Sequence, residues 1–221
     1  MKEHRLKGIF EDEKKRLYTK NLIPGVSVYG EILKKEKDGE YRQWDARRSK
    51  LGAAIAKGIS QIGLKEGHIV LYLGAATGTT VSHVSDIVGE KGFVFAVDSA
   101  PRVLRELVFV AEQRKNISPI LANANHPMQY IHLVPQVDFL FQDIAQRNQV
   151  EIFLKNLEIY LKKGGFGAIA IKARSIDVTK NPKAIFDEAK KQLEKSITIV
   201  DRRTLEPFQK DHAFFVCKKI K

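Results

Sequence analysis

Residues 69–80, Ile69-Val70-Leu71-Tyr72-Leu73-Gly74-Ala75-Ala76-Thr77-Gly78-Thr79-Thr80, constrain the fold of this chain more than any other stretch. Five apolar or aromatic residues run into two glycines four apart, and two threonines then open an amphipathic stretch. That is the order of a strand, a tight turn and the start of a helix. Gly74 suits a turn that a β-carbon would obstruct, Gly78 would let a ligand come close, and the unpaired N–H groups of the helix start would face that ligand. The spacing is not that of the dinucleotide loop G-x-G-x-x-G, because Ala76 occupies the second glycine position. A purely structural turn reads the same way, so the next strand matters. Phe93-Val94-Phe95-Ala96-Val97 is a second apolar run, and it ends in Asp98. In a wound α/β sheet an acid at the tip of the second strand accepts hydrogen bonds from a ribose diol, although an acid just ahead of Pro101 also suits a helix cap. Loop and acid together point to an adenosine-containing cofactor, either a nicotinamide dinucleotide or S-adenosylmethionine.

From the loop onward, strands and helices are expected to alternate. The pattern gives strand 69–73, helix 79–88, strand 93–98, helix 101–114, strand 118–122, strand 137–142, helix 148–162, strand 166–172, helix 183–195, and strands near 197–202 and 212–219. Such alternation predicts an α/β fold with a mostly parallel sheet and helices on both faces. The last two strands are joined by a short connection holding Pro207, too short for a helical crossover, so they pair antiparallel. By fold analogy, a Rossmann-like sheet ending in an antiparallel hairpin favours a methyltransferase over a dehydrogenase. Ahead of it, Ser49 can cap a helix reaching about Ile59. Residues 1–46 read as a small antiparallel β domain, with Val26–Leu33 as one strand and Asp38-Gly39 marking a hairpin, and residues 47–221 as the methyltransferase-like domain.

Charge narrows the partners. Lys and Arg outnumber Asp and Glu 38 to 26, a net charge of +12, which suits a polyanionic partner as well as a densely solvated surface. The surplus is local: Arg47, Arg48, Lys50 and Lys57 share a stretch with no acid, and the chain from Lys172 onward carries thirteen basic against seven acidic residues. No window approaches the ~20 apolar residues of a membrane span, and the charged N-terminus has no signal-peptide core. Cys217, the one cysteine, reads as a small buried hydrophobe. A cytoplasmic protein fits these features. The histidines His4, His68, His83, His126 and His132 have no metal-ligand spacing, so no metal is expected.

Ligands of such sheets lie beyond the carboxyl ends of the strands, where Gly74, Asp98, Asn123, Asp143 and Lys172 fall. The run Leu73–Asp86, with Arg48-Ser49-Lys50-Leu51, Pro101–Leu107, Asn125-His126-Pro127, Gln142-Asp143-Ile144-Ala145-Gln146 and Asp211-His212-Ala213, resembles the fibrillarin family over nearly the whole chain. These are ribose 2′-O-methyltransferases that work with box C/D guide RNA, and the absence of a Gly/Arg-rich stretch matches the archaeal form. Two positions depart from the family: Asp98 stands in place of the usual Glu, and Asn123 in place of an acid that contacts adenine, which passes the base contact to the amide or to backbone near Ala124.

The resemblance implies S-adenosylmethionine as cofactor, held by Gly74, Ala76, Thr79, Thr80, Asp98, Asn123, Ala124, Asp143 and Gln146, the last on the methionine portion. It implies a catalytic set of Lys50, Asp143, Lys172 and His212. A ribose hydroxyl is a poor nucleophile until it loses its proton, whereas a sulfonium methyl is already activated, so the protein must supply a base and orientation. Lys172 is the expected base, acting as a free amine favoured by the neighbouring ammonium of Lys50; Asp143 orients the lysines and the cofactor, and His212 holds the acceptor ribose or Lys172. RNA contacts are expected at Arg47, Arg48, Lys57, Arg174 and Lys180. The implied partners are a box C/D guide RNA, target rRNA or tRNA, a Nop-domain scaffold protein and a kink-turn-binding relative of ribosomal proteins. A non-catalytic scaffold that keeps the fold is the alternative.

Overall fold

Each long apolar run of this chain has two faces to bury, because successive side chains of a strand point to opposite sides. Val70, Tyr72, Phe139, Phe141, Phe214 and Val216 accordingly join one core, and Leu71, Leu73, Leu140, Ile169, Phe215 and Cys217 the other. The computed structural model describes residues 1–220. In chain order its elements are β1 (Lys2–Glu3), β2 (Phe10–Glu11), β3 (Leu17–Lys20), β4 (Leu33–Glu36), β5 (Gly39–Trp44), α1 (Lys50–Ala56), β6 (Ile69–Leu73), α2 (Thr79–Val88), β7 (Phe93–Asp98), α3 (Pro101–Gln113) and β8 (Ile117–Leu121). A 3₁₀ turn at Pro127–Tyr130 leads to β9 (Val137–Gln142), α4 (Gln149–Tyr160), β10 (Leu161–Lys172), α5 (Ala173–Ile176), α6 (Pro182–Glu194), β11 (Thr198–Thr204) and β12 (His212–Lys218).

Seven strands form the main sheet in the order β11-β12-β10-β9-β6-β7-β8. All neighbours pair parallel except β12, which runs antiparallel to both β10 and β11, as the short Pro207 connection requires. Strand order turns about at β6, with β7 and β8 on one side and β9 and β10 on the other. At such a switch point the loops diverge and leave a crevice at the carboxyl ends of the strands. Cys217 is enclosed in the core, where burial pushes its thiol up to about 12 and keeps it inert.

The N-terminal strands form a second, wholly antiparallel sheet in the order β1-β2-β3-β5-β4. A buried charge network seats it on α2. The Asp86 carboxylate receives Arg42 at 2.9 Å, Arg114 at 2.6 Å, the Thr19 hydroxyl at 2.7 Å and the Leu22 N–H at 3.0 Å. Glu31 takes the other arm of Arg42 at 2.6 Å. Beside them His83 lies 2.7 Å from Thr19 through Nδ1 and 2.7 Å from the Tyr29 hydroxyl through Nε2, and it stacks on Trp44. Thr19 gives its one hydroxyl proton to Asp86, and the Tyr29 hydroxyl also reaches the Gln43 carbonyl at 3.0 Å. Burial, reinforced by Arg42 and Arg114, holds His83 well below the usual imidazole value and therefore uncharged. Sliding the sheet would strand buried charges, so the network fixes one seat for it.

Three expectations need correction. Val26–Ile32 is not a strand: the Glu31 carboxylate draws in the N–H groups of Val28 and Tyr29 and curls the segment around itself, so the hairpin begins only at Leu33 and turns through Lys37-Asp38. The helix capped by Ser49 stops at Ala56, where Gly58 at φ +75° turns the chain away. The helix expected to reach residue 162 ends at Tyr160, and β10 starts at once, with Leu161 paired to Val137.

Candidate active site

Three loops meet at the crevice. After β6, Gly74 adopts φ +82°, and a β-carbon there would stand 2.3 Å from the Asp143 carbonyl oxygen, so only glycine lets the loops after β6 and β9 pass. Ala76 follows at φ +49°, an unfavourable value for alanine, and its N–H is held at 2.9 Å by the Asp98 carboxylate from the end of β7. The other Asp98 oxygen accepts from Ala100 N–H at 2.9 Å. Each oxygen thus gives one lone pair to the backbone and keeps one for a ligand. A cavity of about 230 Å³ opens here, lined by Gly74, Ala76, Asp98, Asn123, Ala124, Asp143 and Gln146, with Val97, Ser99, Ala122, Ile144 and Ala145 completing the wall.

Two of the nine residues expected at the cofactor do not line this cavity. Thr80 is buried, and its hydroxyl donates to Ser49 at 2.9 Å, tying α2 to α1; Thr79 opens α2 outside the wall. Gly78 also serves packing rather than ligand approach, since a β-carbon there would meet Leu107 of α3 at 2.7 Å. Asn123 accepts from Asn125 N–H at 3.0 Å and from its side-chain amide at 3.2 Å; that same Asn125 amide donates to Gln146 at 2.9 Å. Gln146 is thereby fastened to the Asn123 loop. The five additional wall residues belong to backbone turns whose course no spacing rule reveals.

Asp143 also faces the expected catalytic set. Ser49 caps α1 by accepting from Gly52 N–H, which puts Lys50 at the first helical position, and Lys50 Nζ lies 3.0 Å from the Asp143 carboxylate. On the next strands, Lys172 is paired directly with His212. His212 Nδ1 lies 2.6 Å from the Lys210 carbonyl, which can only accept, so the proton is on Nδ1 and Nε2 carries the free lone pair. Burial presses His212 below the usual imidazole value, Lys50 and Lys172 press the same way, and the Lys210 carbonyl and Asp143 oppose them. All four residues therefore share one electrostatic neighbourhood beside the cavity. The Lys172 ammonium has no ion-pair partner among the described residues.

The basic residues expected to meet RNA divide into two kinds. Arg174 is paired with Asp211 at 3.1 Å and Lys180 with Glu188 at 3.1 Å, while Arg48 lies over the Tyr29 ring at 4.8 Å. Arg47 and Lys57 form no ion pair among the described residues.

A family profile described as Fibrillarin matches residues 1–221. The fibrillarin-like rRNA/tRNA 2′-O-methyltransferase of Pyrococcus abyssi is 50% identical over 223 residues, covering 99% of this chain and 98% of that one. Among solved structures, Aeropyrum pernix fibrillarin in complex with natively bound S-adenosyl-L-methionine superposes with a TM-score of 0.89 at 45% identity, covering 98% of this chain and 96% of that one. A fibrillarin/Nop5p complex contains a chain with a TM-score of 0.89 at 40% identity, covering 99% and 100%.

Proposed function

This chain belongs to the fibrillarin family, and on that premise we propose that it transfers a methyl group from S-adenosylmethionine to the 2′-hydroxyl of a ribose in rRNA or tRNA, at a nucleotide chosen by a box C/D guide RNA. The observation that carries the reading is the junction at Asp143, which belongs at once to the cavity wall and to the Lys50 ion pair. The cavity suits the cofactor chemically. Asp98 keeps two lone pairs for a ribose diol, the Asn123 amide and the backbone near Ala124 suit adenine, and Gln146 with Asp143 suits the charged methionine end. When bound, S-adenosylmethionine supplies an electrophilic methyl group on sulfur.

The chain's own residues then need only present the hydroxyl and take its proton. Lys172, whose ammonium is not neutralised by an ion pair, removes the proton as its free amine. Lys50, anchored on Asp143 at 3.0 Å, ties the start of α1 to the cavity wall beside it. His212, uncharged and accepting at Nε2, orients the ribose hydroxyl or Lys172.

The assembled particle contains a Nop-domain scaffold protein, in keeping with the fibrillarin/Nop5p complex. A kink-turn-binding relative of ribosomal proteins and the guide RNA complete it, with Arg47, Arg48, Lys57, Arg174 and Lys180 on the RNA side. It works in the cytoplasm; among the described residues no helix is long and apolar enough to cross a membrane. The test is transfer of a radiolabelled methyl group to an rRNA fragment with and without the other components. Label at one guide-specified ribose, dependent on the full set, supports the reading; cofactor binding without transfer in the complete set leaves a scaffold subunit.

A further inference from the structure

Gln149 opens α4 with its side chain fully buried and its amide bonded to three backbone groups. Its Oε1 accepts from the Lys172 N–H at 3.0 Å, while Nε2 donates to the Lys172 carbonyl at 3.3 Å and to the Gln146 carbonyl at 2.8 Å. The partners dictate that orientation, since a flipped amide would set an oxygen against two carbonyls and an NH₂ against an N–H. The β9 ladder stops short of this point: its last pair with β10 is Gln142 opposite Ile169. Lys172 therefore has His212 of β12 on one side, and on the other a side-chain amide where the next peptide of a neighbouring strand would stand. Gln142, also buried, braces the arrangement by donating to the Gln149 carbonyl at 2.6 Å.

We propose that Gln149 is a positioning residue for methyl transfer, its amide replacing the missing strand neighbour of Lys172 and tying that residue's backbone to Gln146 at the cofactor cavity. The inference rests on the reading of Lys172 as the proton acceptor. A lysine side chain has four rotatable bonds, so its only firm reference is its own Cα, and this end of β10 is where an unpaired peptide would otherwise fray. The amide touches neither the proposed hydroxyl nor the cofactor. Its whole effect runs through where Lys172 and Gln146 stand relative to each other, and misplacement on the order of 1 Å costs on the order of 10²-fold in rate.

The experiment compares Gln149→Met, Gln149→Glu and Lys172→Met, with the Gln149→Met/Lys172→Met double variant, in the complete particle under single turnover. Methionine preserves volume and removes all three hydrogen bonds; glutamate keeps the acceptor for Lys172 N–H and turns an oxygen toward two carbonyls. The expected result is a 10- to 100-fold loss of transfer rate in both Gln149 variants, with cofactor affinity and the RNA concentration for half-saturation unchanged within twofold. No further loss should follow when Gln149→Met is added to Lys172→Met. Amide hydrogen exchange of the unsubstituted chain gives a check that does not depend on a variant folding: Lys172 N–H should be protected like the interior of β10. A normal rate in the Gln149 variants while Lys172→Met is slowed at least ~10²-fold to a measurable residual rate overturns the positioning role and leaves the base assignment standing. Near-normal transfer by Lys172→Met overturns the base assignment and this inference with it. Freely exchanging Lys172 N–H, or losses that add in the double variant, overturn the inference alone.

Discussion

Replacing Asp98 with alanine separates ribose recognition from loop shape. In the structure its two oxygens accept from Ala76 N–H and Ala100 N–H, both at 2.9 Å, and each retains one lone pair toward the cavity. Two ribose hydroxyls fit those positions. A hydrogen bond to a charged group contributes ~1.5–3 kcal/mol, and because the two would act as one unit the loss is set at that range rather than at its double. Isothermal calorimetry should then show S-adenosylmethionine affinity falling by about 10- to 150-fold. The loop contributes a separate term, since Ala76 sits at φ +49° only while Asp98 holds its N–H. Adding Ala76→Gly removes that strain, so an affinity loss that persists in the Asp98→Ala/Ala76→Gly protein belongs to the ribose contacts. Affinity within twofold of the parent in Asp98→Ala would refute the reasoning and take Asp98 out of the ligand site.

Other parts of the molecule answer to equally direct measurements. Asp86→Ala strips the buried Arg114 guanidinium of its carboxylate and leaves Arg42 with Glu31 alone, and should lower stability by about 3–5 kcal/mol in urea unfolding; a change under about 1 kcal/mol would contradict the network's role. Burial holds His83 and His212 below the usual imidazole value, and His4 and His68 likewise, so below about pH 6.5 the unfolded chain takes up protons that the folded chain refuses. The melting temperature should therefore fall between pH 7 and pH 5, and a flat profile would contradict the assignment. Charge reversal at Arg47 and Lys57 should flatten the salt dependence of RNA-directed activity more than reversal at Arg174 and Lys180, whose charges are already paired; equal effects would remove that distinction.

The strand–loop–helix order around Gly74 was legible because its causes are local. Apolar runs, a glycine and a strand-terminal acid each act within a few residues, and Asp98 and Asp143 follow from the rule that ligands gather at strand ends. What spacing did not separate was packing from ligand contact. Gly78 and Thr80 look like ligand residues in a linear reading, yet one makes room for Leu107 and the other bonds Ser49, partners 29 and 31 positions away in the chain. The Val26–Ile32 segment has a strand's composition, and it was a single buried carboxylate, Glu31, that bent it away from the sheet. Gln149 carried no signal at all, because a glutamine at the start of a helix is ordinary until β9 is seen to end before Lys172 does. Local propensity reads elements, while the choice between two uses of one polar side chain is made by residues distant in sequence.

The central claim is that Lys172 accepts the ribose proton, and single-turnover methyl transfer by a Lys172→Arg particle as a function of pH tests it most directly. Arginine keeps the positive charge but is not deprotonated at any working pH, so the variant should bind cofactor normally and transfer nothing measurable at every pH at which the parent works. A Lys172→Arg particle with near-parental rate would contradict the account, leaving the side chain an electrostatic clamp and moving the proton to Asp143 or to water.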